Sequence, residues 1–109
     1  MPKDPQDHFY NDMPREEADY WAGRLRPMHM PVPHDFYEPW REVPLHYLIC
    51  EDDLAQPLAL QETMIECARE EGGVVHTERI AAGHSPFLSQ PEATARWIRR
   101  VAGENVPMK

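Results

Sequence analysis

The sequence predicts an α/β fold with two parallel strands, and three observations support this class. Residues 45–101 alternate short apolar runs with segments of helical periodicity, in the order strand, helix, strand, helix. The helical segment between the two strands is long enough for a crossover, which makes the strands parallel. Eight of the 12 prolines lie in the first 44 residues, where they limit regular structure. We therefore predict a Pro-rich segment, 1–44, followed by a strand-helix-strand-helix unit, 45–109.

One helix is expected within the Pro-rich segment. Asp12 is a candidate N-cap, and Pro14 suits the first helical turn. The apolar positions that follow recur at helical spacing and are Ala18, Trp21, Ala22 and Leu25. Pro27 ends the helix. The connection 27–44 is rich in aromatic residues as well as proline, which indicates an ordered segment with apolar anchors.

The elements of the second half follow from local signals. The run Leu45–Cys50 is apolar and ends in an acidic cluster, as a buried strand does. A helix begins after Pro57 and ends at the glycine pair 72–73. Its predicted core-facing stripe is Leu60, Met64, Ile65 and Ala68. A second strand is expected within 74–81.

A loop, 83–90, then leads to the last helix, which begins at Pro91. Its predicted apolar face is Thr94, Trp97, Ile98 and Val101, with Arg96, Arg99 and Arg100 on the solvent side. No further strand is convincing, so a sheet built from these two strands has open edges. Either the Pro-rich segment covers the sheet or the chain is part of a larger fold.

Composition excludes several classes of function. The net charge of -8, from 11 basic and 19 acidic residues, disfavours nucleic acid as a partner. No apolar run approaches the ~20 residues needed to span a bilayer, and the polar N-terminus lacks the pattern of a signal peptide. Cys50 and Cys67 show no zinc or disulfide spacing, which favours a reducing, cytoplasmic setting.

No metal or cofactor is expected. A tract in the Pro-rich segment contains soft ligands for a metal, namely Met28, His29, Met30 and His34. Incidental residues of a connecting segment explain that tract better.

Two polar groups follow the two predicted strands. Asp52 and Asp53 come directly after the first strand, and His84 follows the second. Because the carboxyl ends of parallel strands meet at one edge of a sheet, these groups are expected to lie together. An acid and a histidine so placed can act as the orienting acid and the general base of a nucleophilic triad. For Asp53 the alternative is a solvated strand-end acid or a helix N-cap. For His84 it is a loop histidine bonded to the backbone.

Two motifs carry a resemblance to a known family. The first, D-x-x-x-P-x-x-x-Q, is formed by Asp53, Pro57 and Gln61, and the second, G-H-S-P-F-x-S-x-P, spans 83–91. With these motifs, residues 47–100 resemble the C-terminal part of α/β-hydrolase-fold esterases, in the branch of methyl esterases and hydroxynitrile lyases. The stretch FYNDMPREEADYWAGRL, which begins at Phe9, resembles the helical lid segment of that branch.

The resemblance covers roughly residues 9–102 and implies roles for two of them. Asp53 matches the family's triad acid, since it has the family's spacing to Pro57, which Asp52 lacks. His84 matches the triad base. The implied substrate is a small carboxylic ester, with no cofactor. Trp21, Phe36, Tyr37 and Trp40 are candidates to line a substrate pocket under a lid, and plain packing is an equal alternative.

One family feature is missing from the sequence. The nucleophile of this family lies in a G-x-S-x-G turn, yet Ser85 and Ser89 are the only serines, and both belong to the His84 loop. The sequence therefore predicts a partial α/β-hydrolase fold of the esterase type, truncated and without its nucleophile. The alternative is a non-catalytic interaction module or truncated gene product. Such a chain would pair with itself or with another hydrolase chain through an exposed sheet edge.

Overall fold

The computed structural model describes residues 4–27 and 38–106. Two short helices come first, α1 (Pro5–His8) and α2 (Arg15–Ala22), and a 3-10 turn (Pro39–Arg41) precedes the sheet. The remaining elements are β1 (Leu45–Cys50), α3 (Leu58–Glu70), β2 (Val75–Ile80), α4 (Pro86–Ser89) and α5 (Pro91–Val101). Within the described ranges, no helix combines the length and apolar character needed to cross a bilayer.

The sheet confirms the predicted class. β1 and β2 are parallel, with Leu45 opposite Val75 at one end and Cys50 opposite Ile80 at the other. α3 provides the crossover and packs on one face of the sheet. The buried core there consists of Ile49, Ile65 and Val75, with Tyr47, Leu58 and Ala68 packed around it.

One edge of β1 has no neighbouring strand in the described part of the chain. The Leu45 N–H donates at 2.8 Å to the carbonyl of Val74, the residue before β2, and the Glu51 N–H donates at 3.0 Å to the carbonyl of Ile80 in β2. Because backbone groups alternate in direction along a strand, those of His46, Leu48 and Cys50 point to the opposite edge. This edge is the free edge of β1.

The side chain of Gln61 closes the last position of that free edge. Its Oε1 accepts from the Cys50 N–H at 3.0 Å, and its Nε2 donates to the Cys50 carbonyl at 2.8 Å. Nε2 also donates to the Gln56 carbonyl at 2.8 Å. Gln61 is 1% exposed, whereas Leu60 and Met64 are 46% and 40% exposed. The predicted stripe of α3 was therefore wrong at Leu60 and Met64, because the core-facing surface includes a polar side chain that bonds the sheet.

The helix in the Pro-rich segment differs from the prediction at both ends. α2 begins after Pro14 and ends before Gly23, so Leu25 lies outside it. Asp12 is not an N-cap, because its carboxylate bonds residues of the His84 loop instead. The prediction also missed α1 and the single turn α4, which are too short for helical periodicity to reveal.

α5 begins at Pro91 as predicted, but its faces are mixed. Thr94 is buried, whereas Ile98 is 54% exposed. Arg100, predicted on the solvent side, donates to Glu78 of β2 at 2.6 Å and has a side chain only 20% exposed. The contact with the acid explains the correction, since an ion pair allows a guanidinium to pack against the sheet.

Candidate active site

Asp53 is held rigidly at the end of β1. Its side chain is nearly buried, and Oδ1 accepts the backbone N–H groups of Ala55 and Gln56 at 2.8 and 2.9 Å. These two bonds close a turn of the loop around the carboxylate. Pro57 follows this turn and directly precedes α3. Oδ2 is therefore left to face the loop that follows β2.

His84 meets Asp53 from that second loop. The His84 Nδ1 lies 2.9 Å from the Asp53 Oδ2. An ionised carboxylate only accepts hydrogen bonds, so Nδ1 carries the proton of this bond, and in the neutral imidazole Nε2 then has a free lone pair. The His84 side chain is 36% exposed while that of Asp53 is 5% exposed. This arrangement gives a fixed acid in the interior and a base that a second group can reach.

The other predicted acid and the two serines are placed differently. Asp52 is exposed, and its backbone carbonyl accepts a bond from Asn11 at 2.8 Å. Ser85 is buried, and the Ser89 hydroxyl donates to Asp12 at 2.6 Å. Neither serine is placed on a strand-to-helix elbow, in agreement with the absence of that motif from the sequence.

An open groove of about 410 Å³ adjoins the imidazole. His84 and Cys50 contribute to its wall, and its apolar lining includes Leu48, Phe87 and Trp97. Burial raises the pKa of the Cys50 thiol to about 11, and nearby carboxylates add to the effect. A thiol with such a pKa is protonated at neutral pH, so Cys50 is a wall of the groove and not its nucleophile.

Of the four predicted aromatic residues, the two that the structure describes, Trp21 and Trp40, do not line this groove. Trp21 packs edge to face on Tyr20, with ring centroids 4.9 Å apart. Trp40 borders a separate groove of about 310 Å³ between α3 and the start of β1. Phe36 and Tyr37 lie outside the described residues. The structure therefore brings Asp53 and His84 together but places Trp40 at another surface.

Sequence reasoning missed three residues beside the acid and the base. The Phe9 ring stacks on the His84 imidazole with centroids 5.1 Å apart, and Asn11 and Asp12 bond the two loops. The sequence feature that points to these three residues is their position at the start of the lid-like stretch. It could not be interpreted from spacing, because their partners lie far away along the chain.

Comparisons with known proteins agree with this geometry. The family model described as the alpha/beta hydrolase family matches residues 1–97. The chain is 38% identical over 107 residues to the alpha/beta hydrolase nvfD of Aspergillus novofumigatus, covering 93% of this chain and 40% of that protein. It is 33% identical over 63 residues to the probable hydrolase R7 of a Phoma species, covering 57% of this chain and 26% of that protein. The chain thus spans less than half the length of these relatives, and it belongs to the alpha/beta hydrolase family.

Proposed function

We propose that this chain carries the acid and base of an esterase-type hydrolase that cleaves small carboxylic esters. The observation that supports the proposal most directly is the 2.9 Å contact between His84 Nδ1 and Asp53 Oδ2. The methyl esterase and hydroxynitrile lyase branch is the source of the esterase assignment, through the motifs that contain these two residues. The nucleophile is proposed to be a serine outside this chain.

In the proposed reaction, Nε2 of His84 accepts the proton of the serine hydroxyl as its oxygen bonds the ester carbonyl carbon. The same proton then passes from Nε2 to the departing alkoxide, which leaves as the alcohol. Water repeats the cycle on the acyl-enzyme, releasing the carboxylic acid and restoring the serine. Asp53 stabilises the imidazolium in both halves and holds the imidazole with Nδ1 protonated.

A chimera tests this proposal, in which the chain replaces the matched region of the Aspergillus relative. We expect it to hydrolyse p-nitrophenyl acetate, with turnover falling by about 10²–10⁴-fold in His84→Ala. Asp53→Ala should fall strongly too, whereas Asp52→Ala is the matched control and should keep most of the turnover. A folded chimera that cleaves no ester, or cleaves it equally well without His84, would refute the assignment.

The free edge of β1 favours a second candidate, a non-catalytic module that pairs with another chain. The outward backbone groups of His46 and Leu48 can accept a further strand, and the apolar groove beside them can pack its side chains. His46→Pro removes one outward N–H without touching the bonds to β2. Light scattering should show pairing of the unmodified chain with itself or a hydrolase partner and its loss in His46→Pro. A strict monomer that binds no such partner excludes the module.

A further inference from the structure

Residues 9–12, the FYND segment, bond the loop of the catalytic base. Asp12 Oδ2 accepts the backbone N–H of Gly83 at 2.8 Å and the hydroxyl of Ser89 at 2.6 Å. These two donors flank His84 in sequence, one directly before it and one five positions after it. A single carboxylate oxygen therefore ties both sides of the His84 loop, and bonds to a charged acceptor are stronger than neutral ones.

The same segment also bonds the loop of the acid. Asn11 Nδ2 donates to the carbonyl of Asp52 at 2.8 Å, one residue before Asp53. On the other side, the Phe9 ring lies on the His84 imidazole at an interplanar angle of 28°. The FYND segment thus contacts both loops and one face of the base, although it lies more than 70 residues from His84 along the chain.

Gly83 leaves the space that these contacts occupy. A Cβ at this position would lie 3.0 Å from Asp12 Oδ1 and closer still to Asn11 Oδ1. The backbone of Gly83 is not in the left-handed region, since the glycines with positive φ in the described residues are Gly72 and Gly103. The glycine that precedes the base is therefore explained by the approach of the FYND segment and not by a turn.

We propose that Asp12 is a positioning residue for His84, acting through the His84 loop. The inference rests on the proposed acid and base roles of Asp53 and His84, and it assigns the FYND segment a task beyond covering the site. Without the Asp12 carboxylate, the His84 loop loses the hydrogen bonds of Gly83 and Ser89. The bond from His84 Nδ1 to Asp53 is then formed for a smaller fraction of the time.

The readout is the Nδ1 proton of His84 in the full chain, observed by ¹H and ¹⁵N NMR. In Asp12→Ala we expect its exchange with water to be about tenfold faster, the effect of weakening the pair by 1.36 kcal/mol. Asp12→Asn retains an oxygen for both donors and should restore most of the slow exchange. Asp19→Ala is the matched control, because the exposed Asp19 carboxylate bonds Gln6 and Arg15 and lies outside the His84 loop contacts.

Two further variants separate positioning from general stability. In Gly83→Ala the new Cβ crowds the Asp12 carboxylate and the Asn11 amide through their Oδ1 atoms. This variant should accelerate exchange as Asp12→Ala does, with little added effect in the double variant. If Asp12→Ala fails to fold, Ser89→Ala replaces it, since it removes one of the two donors and should accelerate exchange about threefold. Unchanged exchange in the variant that folds, or equal acceleration in Asp19→Ala, overturns the proposal.

If the proposed acid and base roles of Asp53 and His84 are wrong, the NMR experiment gives a different result. In Asp53→Asn the amide oxygen stays on the N–H groups of Ala55 and Gln56, so a donor NH2 group faces Nδ1. The ¹⁵N shifts should then report a change of tautomer. If that variant matches the unmodified chain, Asp53 does not hold His84, and the proposed function fails together with the positioning role. A tautomer change in Asp53→Asn with no response in Asp12→Ala overturns the positioning role alone.

Discussion

Replacement of Gln61 by leucine tests the bond between α3 and the end of β1. Gln61→Leu is close in volume but leaves the buried Cys50 N–H without a partner and the Cys50 carbonyl with one long bond, from the Asp53 N–H at 3.4 Å. Each unpaired buried group costs about 1–3 kcal/mol, and the added apolar burial returns about 1–2 kcal/mol. The Gln56 carbonyl adds little, because Gln56 is exposed and water can reach it. We expect a net loss of about 1–4 kcal/mol.

Urea unfolding followed by circular dichroism measures this loss. With a slope of about 1–3 kcal/mol/M for a small chain, the midpoint should fall by about 1 M or more. Gln6→Leu is the control, since Gln6 makes one exposed bond to Asp19 at 3.1 Å and should change the free energy of unfolding by less than about 0.5 kcal/mol. A loss below about 1 kcal/mol in Gln61→Leu would show that the Cys50 groups find other partners.

Two more predictions concern the thiols and a helix end. A disulfide reagent at about pH 8 should modify exposed Cys67 in the native chain and Cys50 only after unfolding, as read by peptide mass spectrometry. Because the pKa of Cys50 is raised from 9.0 to about 11, its contribution to stability is complete below about pH 9 and is lost as pH rises towards 11. Urea midpoints of Cys50→Ala should lack that decline, and equal native reactivity of both thiols would contradict the burial argument. Gly23→Ala should stabilise the chain by about 0.4–1 kcal/mol in thermal unfolding, since φ is -68° and the nearest atom lies 3.4 Å from the new Cβ. Gly72→Ala, at φ 93°, is the opposite control and should destabilise.

Local patterns predicted the strands and the long helices well. β1 has the predicted bounds, β2 lies one residue inside them at each end, and α3 and α5 follow Pro57 and Pro91 as expected. These features depend on apolar runs and on proline at helix starts, both of which act over a few residues. The contact between Asp53 and His84 also follows from topology, because parallel strands deliver both loops to one edge.

The rest depended on partners distant in sequence. Asp12 has the residue type and position of an N-cap, yet its carboxylate bonds a loop that is 71 residues away. The predicted apolar stripe of α3 did not include Gln61, which is polar, whereas its amide bonds the backbone of β1. In each case residue type indicates a local role, and a hydrogen bond across the fold decides the actual one.

The Gln61 amide also limits how a second molecule can add to this sheet. Its oxygen and nitrogen meet the Cys50 backbone as one peptide group of a neighbouring strand would, so an incoming strand must stop at Leu48. Only two residues then remain to bond it, and each bond contributes a net of about 0.5–1.5 kcal/mol. Addition of an arbitrary strand at the β1 edge is therefore weak. A partner that binds stably at this edge must gain most of its affinity from side chains that fit the groove beside His84. Shape complementarity, and not backbone hydrogen bonding, then determines which partner binds.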